Sequence, residues 1–222
     1  MSRHFKHRVA NLLYPRYLQI TDQANYNALV TKWIKDNKHL PVFDSRLAFY
    51  EYIQARYIGT DSIDYLEFGV FQGESLSQWC NLNPHAGSRF FGFDSFKGLP
   101  EDWGLCRAGT FDVKGALPDI SDERLQFVAG WFQKTLSGFL KDFQPKSRLV
   151  INNDSDLYSS TLYVLAKLDS LLVKGSILIF DEFYSGLHEY RAMNDYLSAF
   201  NRKATPIARV EDPHGRVAFI FD

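Results

Sequence analysis

Residues 64–73 read Asp64-Tyr65-Leu66-Glu67-Phe68-Gly69-Val70-Phe71-Gln72-Gly73. A short apolar run ends on Glu67, two glycines follow, and a helix-forming stretch starts near Ser75. Strand, glycine turn and helix in this order place a binding turn at the carboxyl edge of a parallel sheet, where open α/β sheets hold their ligands. Gly69 permits the tight turn, and Gly73 lets backbone approach a ligand. The pattern is E-x-G-x-x-x-G. It lacks the third glycine that brings a pyrophosphate onto a helix N-terminus, which fits a cofactor without phosphate and argues against a nucleotide-sugar or NAD oxidoreductase. Glu67 can meet a cationic amino-acid group, directly or through water. Asp94 ends the next apolar run, about 25 residues on, where a carboxylate accepts both hydroxyls of a ribose. The alternative is an ordinary turn between strand and helix.

Outward from this turn, short apolar runs alternate with helical stretches. Candidate strands are 64–68, 90–93, 125–128, 149–152 and 177–180; candidate helices are 75–80, 133–141, 159–172 and 188–200. This alternation predicts right-handed βαβ units and a sheet covered on both faces. Residues 204–210 and 216–221 are strand-like, and Glu211-Asp212-Pro213-His214-Gly215 between them is too short for a crossover helix. The last pair is therefore an antiparallel hairpin. The fold class is α/β: a Rossmann-like seven-stranded sheet of the methyltransferase kind, with a C-terminal hairpin and N-terminal helices. Residues 1–60 form the helical extension, a lid or a homodimer contact, and residues 61–222 the main domain. Thr21 or Asp22 caps a first helix reaching about Asn37, and Asp44 or Ser45 caps a second.

The second feature is acidic. Leu149-Val150-Ile151-Asn152-Asn153-Asp154-Ser155-Asp156 runs an apolar strand into two carboxylates, and Leu178-Ile179-Phe180-Asp181-Glu182 repeats the pattern one unit later. Neighbouring parallel strands gather these four side chains at one edge, where they repel each other unless a cation sits among them. A hard divalent ion with oxygen ligands, Mg²⁺ first, is the simplest partner. Such an ion activates an aliphatic hydroxyl while a nearby carboxylate takes the proton. The alternative is that these residues merely cap the helices that follow.

The chain of 222 residues is 45% hydrophobic, with a formal charge of −1. That supports a sizeable core and makes nucleic acid a poor partner. The two cysteines, Cys80 and Cys106, have no metal-site spacing and read as free thiols of a cytoplasmic protein. The basic start Met1–Arg8 has no apolar region behind it and reads as a solvated tail, and no apolar run is long enough to span a membrane.

The stretches Leu66–Val70, Phe93-Asp94-Ser95-Phe96-Lys97-Gly98-Leu99-Pro100, Ala129–Leu136, Asp154–Thr161 and Phe180-Asp181-Glu182-Phe183 together resemble the macrocin O-methyltransferase family of class I methyltransferases. The resemblance covers roughly residues 63–200. It implies S-adenosyl-L-methionine as methyl donor and a hydroxyl of a sugar or glycosylated natural product as acceptor. It also implies Asp154 as general base, with Asp156, Asp181 and Glu182 as metal ligands. Glu182 stands where the family usually has aspartate. Glu67, Gly69, Gly73, Asp94 and Ser95 are the expected cofactor residues. Trp131, with Phe132, lines the adenine end or packs in the core. His188 reads as a surface histidine, with a second base or substrate contact as the alternative. Trp103, in the long loop Ser95–Ile120, is a candidate acceptor wall. The competing functional readings are a metal-independent O- or N-methyltransferase and a catalytically silent cofactor-binding protein.

Overall fold

The computed structural model describes residues 3–212 and 214–222, with side chains from Ile20 onward. The basic start and Pro213 of the hairpin turn lie outside the residues so described. The chain divides into two compact units, Met1–His39 and Leu40–Asp222. The first holds one helix, α1 (Arg3–Asp36). It runs unbroken through Thr21 and Asp22, so neither caps a helix start.

In the second unit, β1 (Val42–Phe43) leads to α2 (Arg46–Ile53), where the Ser45 hydroxyl accepts the Ala48 N–H at 3.2 Å. That cap is the one expected from the sequence. Then follow β2 (Ile63–Phe68), α3 (Glu74–Leu82), β3 (Arg89–Asp94), β4 (Leu125–Ala129) and α4 (Phe132–Asp142). The chain continues with β5 (Arg148–Asn153), α5 (Tyr158–Leu168), β6 (Ile177–Phe180), α6 (Arg191–Ala199), β7 (Ala204–Val210) and β8 (Val217–Phe221).

The sheet order is β1-β7-β8-β6-β5-β2-β3-β4. The seven expected strands are present, and β8 runs antiparallel to both β6 and β7. An eighth strand was not expected: β1, two residues long, pairs parallel with the outer edge of β7. Strand order reverses between β2 and β5, which makes the turn after β2 the switch point.

The central strands β2, β5 and β6 are buried almost throughout, because helices cover both faces of a parallel sheet. Trp79 of α3 packs at a tilt against Tyr65 of β2, centroids 5.2 Å apart, and against Tyr50 of α2, centroids 5.1 Å apart. Side chains of this kind each contribute about 1.5–3 kcal/mol on burial. Register then positions the site. Phe68 lies opposite Phe93 and Asn153, Asn153 opposite Phe180, and Asp94 opposite Ala129. The turns that follow these strands therefore leave the sheet at one edge.

Candidate active site

The glycine turn is held by its neighbours on both sides. The Gly69 N–H donates to the Phe93 carbonyl at 2.9 Å, and the Asp154 N–H donates to the Phe68 carbonyl at 2.8 Å. Gly69 has φ +92°, and a Cβ there would stand 1.7 Å from the Asp154 carbonyl oxygen. Glycine is thus required for the β5 turn to pass over the β2 turn. Gly73 works differently from the expectation. It starts α3 at φ +80°, and a Cβ would lie 2.7 Å from Pro118 and 2.8 Å from Ile120. It admits the long loop rather than a ligand.

Asp94 ties the turn together. Its Oδ2 accepts the Val70 and Phe71 N–H groups at 2.8 Å each, and its Oδ1 accepts the Phe96 N–H at 2.7 Å. Oδ1 keeps a further lone pair for a ligand hydroxyl.

Glu67 is placed otherwise than expected. It is fully buried and accepts from the Tyr65 hydroxyl at 2.5 Å, the Ser75 hydroxyl at 2.8 Å and the Asn152 amide at 3.3 Å. Burial pushes its carboxyl up to about 7, against those three hydrogen bonds. It braces the turn from beneath and is not part of the cleft wall, because protein groups already fill its surroundings.

An open cleft of about 960 Å³, solvent mouth included, lies above the edge. Gly69, Asp94, Ser95, Trp131 and Phe132 line it on the β3–β4 side. Asp154, Asp156, Asp181 and Glu182 line it on the β5–β6 side. The structure thus brings together all the expected site residues except Glu67 and Gly73. Trp131 faces the cleft, while the Phe132 ring also packs edge-on against Phe68 at 5.4 Å.

Helix capping does not explain the carboxylates: neither α5 nor α6 has a side-chain cap. Burial first, then the Asp181 and Asp156 carboxylates, hold the Asp154 carboxyl well above the usual range. Asp156 sits at φ +60° and is pushed up to about 7 by burial and then by Glu182, Asp181 and Asp94. Glu182 is also raised by burial, with His214 opposing.

Three partners at this edge escaped the sequence reading. Arg216 grips Asp181 with two bonds, Nε to Oδ1 at 2.6 Å and Nη2 to Oδ2 at 3.0 Å, and also pairs with Asp212. His214 Nδ1 lies 2.7 Å from Glu182 Oε1. Both come from the hairpin turn, which enters the site only because β8 inserts beside β6. Glu189, fully buried on a single π-helical turn (Gly186–Tyr190), accepts the Asn153 amide at 3.0 Å and the Glu182 N–H at 2.9 Å. Burial holds its carboxyl well above the usual range.

The donor set, all carboxylate oxygen, is chemically suited to a hard divalent ion. Its present arrangement is not a ready-made cage. Among the described residues no three acidic, histidine or cysteine side chains converge as ligands, and both Asp181 oxygens are on Arg216. An ion would have to exchange with that guanidinium.

The long loop between β3 and β4 has no helix and forms one wall through Gly98, Leu99, Pro100 and Phe111. It is held to α5 by Glu101, which accepts the Ser159 hydroxyl at 2.8 Å. Trp103 meets the His188 ring edge-on at 6.4 Å. His188 is half-buried, its pKa lowered by burial, and its Nδ1 accepts the Tyr158 N–H at 3.4 Å. It is therefore not a plain surface residue. Neither Trp103 nor His188 belongs to the cleft wall itself.

Comparisons with known proteins agree with this architecture. The sequence profile of the macrocin-O-methyltransferase (TylF) family matches residues 112–213, which include the whole acidic edge. An 8-demethyl-8-(2,3-dimethoxy-alpha-L-rhamnosyl)-tetracenomycin-C 4'-O-methyltransferase of Streptomyces olivaceus is 30% identical over 155 residues, 58% of this chain. The aligned part is also 58% of that relative's length. The solved O-methyltransferase NovP superposes with a TM-score of 0.59 at 21% identity, over 79% of this chain and 78% of that one. A solved calicheamicin methyltransferase gives 0.60 at 22% identity, over 90% and 91%. On this sheet order, this edge and these matches, the chain resembles the macrocin O-methyltransferase family and has the fold of class I O-methyltransferases.

Proposed function

We propose that this protein is an S-adenosyl-L-methionine-dependent O-methyltransferase acting on a hydroxyl of a sugar carried by a small molecule. One observation carries the reading. The glycine turn with Asp94 and the acidic edge with Asp154 line a single cleft, so a donor and an acceptor can meet there. The rhamnosyl substrate named for the Streptomyces olivaceus relative supports a sugar acceptor.

In this reading the ribose hydroxyls lie on Asp94 and Ser95, and the adenine lies by Trp131 and Phe132. The acceptor oxygen attacks the sulfonium methyl carbon in line. The new O–C bond forms as the C–S bond breaks, and S-adenosylhomocysteine leaves as a neutral thioether. Asp154 takes the hydroxyl proton as general base. Holding the oxygen about 3–3.5 Å from the methyl group accounts for most of the remaining barrier. Asp156, Asp181 and Glu182 would hold a Mg²⁺ ion, which when bound lowers the pKa of the acceptor hydroxyl.

Transfer without a metal is a second reading, favoured by the two bonds from Arg216 to Asp181. Methyl transfer from labelled donor, measured after EDTA and after added Mg²⁺, separates them. The metal reading expects activity lost on chelation and restored by Mg²⁺; unchanged activity would leave the second reading.

A further inference from the structure

The turn between β7 and β8 is shaped by its own side chains and fastened to the acidic edge by others. Asp212 Oδ1 accepts the His214 N–H at 3.0 Å and the Gly215 N–H at 2.6 Å, which closes the turn on itself. The Tyr184 N–H donates to the His214 carbonyl at 3.2 Å. Gly215, at φ +69°, lets the Tyr184 ring lie against it, where a Cβ would stand 2.0 Å from the ring. From this frame two side chains reach inward. Arg216 directs Nε and Nη2 to the two oxygens of Asp181 and Nη1 to Asp212. This pair is shielded from water: the Arg216 side chain is 14% exposed and that of Asp181 8%. His214 holds Glu182 in the same way, from the more open side of the turn.

The turn therefore grips one half of the carboxylate set. Among the described residues the ion pairs at this edge reach Asp181 and Glu182, after β6, and not Asp154 and Asp156, after β5. The charge balance shows what Arg216 can and cannot do. Its single positive charge is shared between Asp181 and Asp212, so it does not neutralise an edge of four carboxylates. Arg216 thus stands beside the proposed ion site without replacing the ion. It does oppose one. A two-pronged guanidinium bond engages both oxygens of Asp181, and a fixed cation next to a divalent one raises the cost of placing it there.

We infer that Arg216 sets the divalent-ion affinity of this edge, and that the hairpin turn lets go of Asp181 and Glu182 when an ion is held there. The inference rests on the metal reading proposed above and adds to it the residue that works against the ion. Coupling of this kind is reciprocal. The hold of Arg216 on Asp181 weakens the ion by the same factor by which the ion weakens the turn's hold. Ion occupancy inside the cleft is thereby reported at a turn on the surface.

The test uses the full chain and Mn²⁺, with free ion counted by electron paramagnetic resonance. Arg216→Gln is expected to bind Mn²⁺ about tenfold more tightly than the parent. Arg216→Lys keeps the charge but loses the fork, and should gain about threefold. Amide hydrogen exchange of the parent gives the second reading: saturating Mg²⁺ should speed exchange across the turn at least about threefold. Equal or weaker Mn²⁺ binding in a folded Arg216→Gln overturns the inference. If that variant fails to fold, equal or weaker binding in Arg216→Lys overturns it in the same way. Exchange of the turn that is unchanged or slowed by Mg²⁺ also overturns it. Absence of Mn²⁺ binding in the parent and in both variants removes the metal reading and the inference together. S-adenosylhomocysteine still binding to that same protein would show that the methyl-donor reading stands apart from both.

Discussion

Asp154 is the first residue past β5, and three neighbouring elements set its properties. Its N–H is spent on Phe68, its carbonyl passes over Gly69, and its carboxylate feels the Asp181 and Asp156 carboxylates on the same side of the cleft. Removing the charge should therefore act on chemistry and not on donor binding. Asp154→Asn is expected to lower kcat by about 10²–10⁴-fold, with S-adenosylhomocysteine affinity within about twofold of the parent. Full turnover in this variant would remove the base assignment.

The same cluster links stability to pH. The folded carboxyl of Asp156, pushed up to about 7, binds its proton more tightly than the unfolded one at its ordinary 3.8. Between those values the folded state holds the extra proton, so stability is full below the unfolded value and is lost as pH rises through the folded one. Thermal unfolding of the ligand-free protein should show Tm falling from pH 5 to pH 8. Asp156→Asn should flatten that fall; an unchanged slope would contradict the account. The residues of this cluster were legible because an apolar strand ran straight into carboxylates at two places. Their partners from the hairpin turn were not. Arg216 and His214 sit far off in sequence, in a turn that reads as a surface hairpin, and only the pairing of β8 with β6 brings them in.

Among the elements, the buried strands were the most legible. β2, β5 and β6 lie inside a sheet covered on both faces, and that burial writes a continuous apolar run into the sequence. Where this constraint weakens, so did the reading. β1 is two residues at an edge and has no period to detect. The start of α1 lies well before the capping residues Thr21 and Asp22, because a cap-competent side chain inside a continuous helix leaves the same sequence mark as a true cap. The helix expected over residues 188–200 instead begins with the π-helical turn Gly186–Tyr190. That turn carries Glu189 inward, where it accepts from the Asn153 amide and the Glu182 backbone. Glu189→Ala leaves the Glu182 N–H without this acceptor and leaves the buried Asn153 amide with only the Thr161 hydroxyl at 3.2 Å, a loss of about 1–3 kcal/mol. A drop in Tm of several degrees on thermal denaturation is expected, and the Glu182 turn should loosen with it. A Tm equal to the parent's would show that the tie is not structural.

At the scale of the molecule, the sheet decides what the site can be. Strand order reverses between β2 and β5, so the glycine turn and the acidic edge leave the same rim and share one cleft. The sequence could say that both features exist, since each follows an apolar strand. It did not show which way Glu67 and Gly73 face, because a glutamate at a strand end and a glycine at a helix start look alike whether they face a ligand or the protein. Glu67 is enclosed by Tyr65, Ser75 and Asn152, and Gly73 makes room for Pro118 and Ile120. The donor side of the cleft thus depends on Asp94, the one carboxylate that both ties the turn and remains in its wall.

The central claim, that this cleft binds an adenosyl methyl donor, is tested most directly by calorimetric titration of S-adenosylhomocysteine into the parent and into Asp94→Asn. No acceptor needs to be known. One molecule should bind per chain, and the asparagine variant should bind at least about tenfold more weakly, since one carboxylate oxygen becomes an amide that cannot accept the ribose hydroxyl. A folded parent that gives no binding, or a variant that binds as tightly as the parent, would contradict it.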